Sequence, residues 1–326
     1  MIDTPEMLEA PTTADAVRHA ALNGLTAQPK SLPPWLFYDD TGSHLFERIT
    51  ELPEYYLTRT ERDLFIEIAP TLAAHVGTPI TVAELGAGSA SKTGILLAAL
   101  ANQQKPLLYQ PIDVSASALQ QAAQSLIAAV PFLQVQPQLA NYLTVPYAIE
   151  RPANARVLAL YIGSSIGNFS PEEQRNILRN LRQHLAPRDS LLLGVDLAPG
   201  GAKSMDELLQ AYDDAAGITA QFNKNILLRL NRELGANFEV SKFAHRVRWN
   251  AADSRIEMYL ESLVPQDVNV AGQTIHFERG ETIHTENSYK FTDTAINLLL
   301  KDTGFVLNRV VTDAESWYAV VLADAV

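Results

Sequence analysis

The stretch ITVAELGAG, residues 80–88, decides the fold: a short apolar run that stops at a glycine turn. It reads as a buried strand, and SKTGILLAALANQ (91–103) after it reads as a helix. The alternation then repeats. PLLYQPIDVS (106–115) is a second strand, ALQQAAQSLIAAV (118–130) a helix, and FLQVQPQLANY (132–142) a third strand or part of one. RVLALYIGSSIGN (156–168) is a fourth strand ending in glycines. SPEEQRNILRNLRQHL (170–185) is a helix with Ser170 as N-cap and Pro171 at its first position. SLLLGVDLA (190–198) is a fifth strand. Apolar strands alternating with helices predict a parallel, doubly wound α/β sheet.

On the C-terminal side this rhythm stops at Pro199-Gly200-Gly201. Residues 203–235 read as one helical stretch. The stretches 238–250, 254–270 and 273–291 read as antiparallel strands, with turns at Ala251–Asp253, Ala271-Gly272 and Arg279-Gly280. A helix over 292–305 stops at Gly304, and 305–313 and 317–326 form a last strand pair. On the N-terminal side, Trp35–Thr60 holds two aromatic clusters around a short helical pattern. Thr58-Arg59-Thr60-Glu61 reads as a capping box for a helix toward Ala74. The expected organisation is a sheet domain, 61–195 plus 287–326, and a second domain, 1–60 plus 196–286, over the sheet's carboxyl edge.

Composition narrows the function. The chain has 326 residues, 47% hydrophobic and 19% charged, an ordinary globular balance with room for two domains. It has no cysteine, which excludes disulfides, thiolate metal sites, iron–sulfur clusters and a cysteine nucleophile. A net charge of −12 argues against nucleic acid as a partner, because a phosphate polyanion calls for a basic surface. MIDTPEMLEA has neither the basic nor the apolar region of a leader, and no apolar run approaches membrane-span length. The seven histidines form no HxxxH or HExxH pattern, so no metal is expected. The expectation is a cytoplasmic monomer without nucleic-acid, membrane or metal partners.

In an open α/β sheet, ligands bind outside the carboxyl ends of the strands. The first such end is Glu84-Leu85-Gly86-Ala87-Gly88-Ser89, where glycines let a ligand approach the backbone. The same residues also suit a plain tight turn. The second strand ends at Asp113, whose carboxylate can accept both hydroxyls of a ribose; Asp113-Val114-Ser115 fits a helix cap as well. The third ends at Asn141-Tyr142, an amide acceptor and an aromatic face for a base. The fourth ends at Tyr161-Ile162-Gly163. NAD and S-adenosylmethionine (SAM) both use such sites. The loop is GAGSAS rather than GxGxxG, and the chain ends helix–strand–turn–strand; both features favour SAM.

Five stretches make the pattern specific. They are Tyr38-Asp39-Asp40-Thr41-Gly42-Ser43, Leu52-Pro53-Glu54-Tyr55-Tyr56-Leu57-Thr58-Arg59-Thr60, Glu84-Leu85-Gly86-Ala87-Gly88, Ile162-Gly163-Ser164-Ser165-Ile166-Gly167-Asn168 and Thr285-Glu286-Asn287-Ser288-Tyr289-Lys290. In this order and spacing the chain resembles the L-histidine Nα-methyltransferases of ergothioneine biosynthesis. The resemblance implies a Rossmann-like class I methyltransferase sheet with an inserted α+β substrate-binding domain. It implies a SAM-dependent enzyme that trimethylates the α-amine of L-histidine to hercynine without a metal.

The resemblance also implies site residues. Gly86, Asp113, Asn141, Tyr142 and Gly163 would line the SAM pocket, with Tyr38 reaching it; Gly88 and Lys92 complete the expected cofactor set. Asn168 and Tyr212 would hold the substrate carboxylate. Tyr55 would lie by the amine and imidazole as the catalytic residue, and Glu286 with Ser288 would grip the imidazole. The family often has an acidic residue at the position of Asn141, which keeps an acceptor oxygen but not the charge. Neutral imidazole presents one donor and one acceptor nitrogen, and Glu286 and Ser288, two apart on a strand, offer an acceptor and a donor on one face. A solvated strand face is the other fate of that pair. Water, Tyr55 or groups around Asn168 are candidates to take the amine's proton. A same-family enzyme acting on another amine, such as an indole derivative, is the alternative.

Overall fold

The structure is a computed structural model that describes residues 13–88, 90, 92–142 and 146–326. Ser89 and Ser91 of the glycine loop, and the N-terminal stretch read for a leader, lie outside the described residues. In chain order the helices are α1 (Thr13–Thr26), α2 (Asp40–Thr50), α3 (Tyr56–Val76), α4 (Thr93–Ala101), α5 (Ala116–Ala129), α6 (Pro171–Gln183), α7 (Met205–Gln210), α8 (Ile218–Leu234) and α9 (Asp293–Asp302). The strands are β1 (Lys30–Ser31), β2 (Ile80–Leu85), β3 (Leu107–Asp113), β4 (Leu133–Val135), β5 (Gln138–Leu139), β6 (Arg156–Tyr161) and β7 (Ser190–Asp196). They continue with β8 (Phe243–Asn250), β9 (Arg255–Ser262), β10 (Gln266–Val270), β11 (Gln273–Phe277), β12 (Thr282–Tyr289), β13 (Phe305–Thr312) and β14 (Tyr318–Ala325).

Two compact units divide the chain. One comprises Arg48–Asp214, Trp249–Ile256 and Asn287–Val326; the other comprises Met1–Glu47, Ala215–Arg248 and Glu257–Glu286. Residues 48–60, 196–214 and 249–256 therefore lie with the sheet unit, where the sequence reading sets them in the second domain. The cause is visible in buried bonds: the Tyr56 phenol donates to the Asp196 carboxylate at the end of β7, and Lys203 turns back to the same carboxylate.

The larger unit holds the main sheet, in the order β13-β14-β7-β6-β2-β3-β4, with β5 also paired to β3. Strands β2, β3, β4, β6 and β7 run parallel, and β14 runs antiparallel to both β7 and β13. This is the Rossmann-like order of a class I methyltransferase, closed by an antiparallel C-terminal hairpin. Every residue of β2 and β7 is buried. Strands covered on both faces read as continuous apolar runs, which is why their sequence texture was legible. Leu64 and Phe65 of α3, Leu96 and Leu97 of α4 and Leu126 of α5 pack in the core that includes Val82 and Tyr109. Ile177 and Leu178 of α6 and Ile296 and Leu300 of α9 pack in a second core with Ala159 and Leu191.

Local chemistry ends the elements. Ser170 accepts from the Glu173 N–H while Glu173 returns a bond to the Ser170 N–H, so α6 starts on a full capping box. The expected box at Thr58–Glu61 is not there: α3 begins at Tyr56, and Glu61 points inward with no exposure. The third strand is two short pieces, β4 and β5, because Pro137 between them has no N–H for the ladder. The stretch read as helical over 203–235 is two helices, parted before Gly217, which takes φ +69°. The strand read over 254–270 breaks after Ser262, three residues before Pro265, giving β9 and β10.

The smaller unit carries the β10–β11 hairpin and α8, with β1 pairing parallel to β12. Its apolar centre is aromatic. Phe37 stacks on Phe222 at 4.4 Å, and Tyr38 lies edge-on to Phe222 and Phe46, each at 5.8 Å. Among the described residues no helix is long and apolar enough to cross a membrane.

Candidate active site

Parallel strands bring their carboxyl ends to one edge of the sheet, and the loops after β2, β3, β6 and β7 collect there. Gly86 takes φ +67° directly after β2, and its N–H donates to the Ile112 carbonyl at 2.8 Å, so the loop folds against β3. Gly88 takes φ +50°, and a Cβ built on it meets nothing within 4 Å. The loop therefore leaves open space where a side chain would otherwise stand.

Asp113 fixes this space chemically. One carboxylate oxygen accepts the Gly88 N–H at 2.9 Å, and the other accepts the Ser115 N–H at 2.9 Å. The cap of α5 is Ser115, which accepts from the Ala118 N–H. Each carboxylate oxygen of Asp113 keeps a lone pair beyond these bonds, as a ribose diol requires. Tyr142 lies beside the glycine loop, with its oxygen 3.6 Å from the position of a Gly86 Cβ. Burial pushes its phenol up to about 12, so it stays neutral. Asn141 precedes it, half-buried.

A buried carboxylate organises the next loop. The Glu61 carboxylate accepts the Gly163 N–H at 2.8 Å and the Tyr318 phenol at 2.5 Å, and pairs with Lys92. Gly163 takes φ +76°, and its absent Cβ would stand 3.4 Å from the Lys92 ammonium. Gly86, Gly88, Lys92, Asp113, Tyr142 and Gly163 thus gather at one sheet edge. An open glycine cradle with a fixed carboxylate and an adjacent aromatic fits the nucleoside part of SAM, which has no phosphate to place. Tyr38 belongs to the smaller unit, in its aromatic centre.

The second cluster follows β7. Tyr55 is 9% exposed, with its ring edge-on to Tyr212 at 6.3 Å. The Tyr212 and Ser288 hydroxyls are 2.8 Å apart. The Lys290 ammonium donates to Tyr212 at 2.7 Å and to Ser288 at 2.9 Å, and pairs with Asp196 at 2.7 Å. Asp196 also takes the Tyr56 phenol and the Lys203 ammonium. Burial, the largest influence, draws the Lys203 ammonium below its ordinary range against the pull of Asp196.

Asn168 closes the one-turn helix Ser165–Asn168. That turn passes so near β12 that a Cβ on Gly167 would stand 2.8 Å from the Tyr289 carbonyl oxygen. Glu286, two positions before Ser288 on β12, is buried in the smaller unit. Among the described residues no group of three or more His, Asp or Glu side chains is placed to hold a metal.

Sequence reasoning passed over Glu61, Asp196 and Lys290. A period-two reading of β12 carried one residue further would have put Lys290 on the face of Glu286 and Ser288. The buried pairings of Glu61 and Asp196 join distant parts of the chain and left no local signal.

The comparisons with known proteins agree on the class of chemistry. The family described as histidine-specific methyltransferase, SAM-dependent, matches residues 17–325. A histidine N-alpha-methyltransferase of Mycolicibacterium smegmatis is 38% identical over 97% of this chain and 97% of its own. Ergothioneine biosynthesis protein 1 of Schizosaccharomyces pombe is 29% identical over 85% of this chain, a match covering 36% of that longer protein. A 4-dimethylallyltryptophan N-methyltransferase of Claviceps purpurea is 26% identical over 89% of each chain. The chain is an enzyme of the histidine-specific, SAM-dependent methyltransferase family.

Proposed function

We propose that the protein methylates the α-amine of L-histidine three times, giving hercynine, as the first step of ergothioneine biosynthesis. The observation that carries this reading is the likeness, over nearly the whole chain, to a histidine N-alpha-methyltransferase. The geometry supports it with a hydroxyl pair, Tyr212 and Ser288, next to the Tyr55 ring in a buried setting.

When bound, SAM supplies an electrophilic methyl group on a sulfonium. Asp113 accepts the ribose hydroxyls, Gly86, Gly88 and Gly163 clear space, Tyr142 and Asn141 meet the base, and Lys92 and Tyr38 complete the pocket. Asn168 and Tyr212 hold the substrate carboxylate. Glu286 accepts the ring N–H and Ser288 donates to the other ring nitrogen. Tyr55 faces the amine. The amine is neutral when it reacts, so the protein's work is to hold it in line and exclude water. The aromatic faces of Tyr55 and Tyr212 suit the growing ammonium.

The relative named for a prenylated tryptophan sustains a second reading, in which the acceptor is an indole amine. Indole offers a ring donor and no acceptor, so Ser288 would gain nothing from it. A competition assay with equal amounts of L-histidine and a tryptophan derivative separates the two. Methyl groups on histidine support the first reading; methyl groups on the indole amine alone replace it with the second.

A further inference from the structure

We propose that Glu61 is a positioning residue for the cofactor: it holds the Lys92 ammonium and the Gly163 loop where the amino-acid end of SAM lies. The inference deepens the cofactor reading given above and rests on it, but not on the identity of the acceptor amine.

Topology sets the direction of the cofactor. Strand β2 lies between β3 and β6. With the ribose on Asp113 at the end of β3, the chain that carries the sulfur and the amino acid crosses the β2 loop toward β6, two strand spacings or roughly 10 Å away. Gly163 follows β6 on that far side, and the Lys92 ammonium is 3.4 Å from where its Cβ would stand. A cation beside a glycine gap suits a carboxylate, and the amino-acid end of SAM carries one. Lys92 stands there against its local interest. It is the N-cap residue of α4, makes no side-chain cap bond, and brings a cation to the helix end where the dipole disfavours one. A broken local rule with a dedicated partner marks a functional position.

That partner is Glu61. It has no exposure, and groups from separate parts of the chain converge on it: the Gly163 N–H and the Tyr318 phenol on one oxygen, at 2.8 and 2.5 Å, and Lys92 on the other. Through its two oxygens the carboxylate thus fixes two things that the cofactor meets. A lysine left to itself carries its charge on a flexible four-carbon stem. Held by Glu61, the Lys92 side chain keeps 19% exposure, the open side on which a carboxylate binds, and the cost of ordering it is met before the cofactor arrives. The Glu61–Lys92 pair is neutral as a whole, which suits an amino-acid end that is itself a zwitterion.

The test separates the two halves of the cofactor. S-adenosylhomocysteine and 5′-methylthioadenosine share the nucleoside and the sulfur, and only the first has the amino-acid end. Titration calorimetry on the purified protein reads the ratio of their affinities. Wild type should prefer S-adenosylhomocysteine by about 10-fold or more, the worth of a charge-assisted contact. Glu61→Gln keeps the size and one acceptor oxygen but not the charge that holds Lys92. It should cut the preference roughly 10-fold, with 5′-methylthioadenosine affinity moving less than about 2-fold. Lys92→Met should cut it similarly, and Glu61→Gln added to Lys92→Met should cut it no further, since both act on one contact. If Lys92→Met loses the preference and Glu61→Gln keeps it, or if Glu61→Gln weakens both ligands alike, the inference falls and the cofactor reading stands. If wild type shows no preference, or Lys92→Met keeps it, the Lys92 contact falls and the inference with it. Neither result touches the histidine reading, which the methylated products decide. Should Glu61→Gln not fold, Glu61→Asp keeps the charge and draws it back from Gly163 and Lys92. That variant should lose about 3-fold or more of the preference, and a full wild-type preference would overturn the inference.

Discussion

Glu84 carries a carboxyl into a place without water. It is the residue before the last of β2, with 1% exposure; the Thr93 hydroxyl donates to it at 2.9 Å and the Tyr109 phenol caps its other oxygen. Burial outweighs those donors and pushes the carboxyl from 4.5 to about 7. The folded chain therefore holds this proton more tightly than the unfolded chain does. The resulting stability is fully present below about pH 4.5 and is lost as pH rises through about 7, on the order of 3 kcal/mol across the window. Glu84→Gln stays neutral throughout. In urea unfolding from about pH 5 to about pH 8, the variant should gain roughly 2–3 kcal/mol relative to wild type. Parallel stability curves for the two proteins would show that Glu84 titrates normally. Residue identity placed a carboxylate, Asp113, at the end of the second strand, where the structure has it accepting the Gly88 and Ser115 N–H groups. It did not make Glu61 legible. A Glu in Thr-x-x-Glu looks the same whether it caps a helix in water or sits buried, and its partners Gly163 and Tyr318 lie 102 and 257 residues away.

At the scale of elements, β7 is shaped by what passes over it. A Cβ on Gly194 would stand 2.5 Å from the Glu61 carboxylate, 2.6 Å from the Tyr318 phenol and 3.2 Å from the Ile162 backbone. Its φ is unstrained, so the cost of a side chain there is steric. Gly194→Ala should destabilise the protein by about 1–3 kcal/mol. It should also weaken S-adenosylhomocysteine binding, because Glu61 holds both Gly163 and Lys92. Urea unfolding and titration calorimetry check the two effects, and an unchanged stability would mean that Glu61 and Tyr318 move aside freely. Elements with a local cause were readable: the α6 cap is written as Ser170, Pro171 and Glu173 in the sequence, and the sheet strands as apolar runs. The break between α7 and α8 was not, because 203–235 keeps a helical composition through Gly217, and only the φ of +69° there reveals the interruption. The start of α3 at Tyr56 was missed for a similar reason: Tyr55 precedes it without any side-chain cap.

At the scale of the whole chain, the larger unit assembles its chemistry from loops that the parallel sheet brings to one edge, and from side chains such as Ser288 and Lys290 that return after the long insertion. The succession of strands and helices along the chain was legible because most strands are bounded by their own turn signals, whereas their order across the sheet comes from the structure. The hydroxyl–ammonium cluster was only half legible: Tyr212 and Ser288 came from the resemblance, whereas Lys290 and Asp196 emerge only when the strands are folded together. The central claim is that this fold delivers methyl groups from SAM to the α-amine of histidine. Mass spectrometry of the purified protein incubated with SAM and L-histidine tests it most directly. The account predicts histidine carrying one, then two, then three methyl groups, with fragments placing all of them on the α-nitrogen. Unmodified histidine in the presence of clear S-adenosylhomocysteine binding would contradict it.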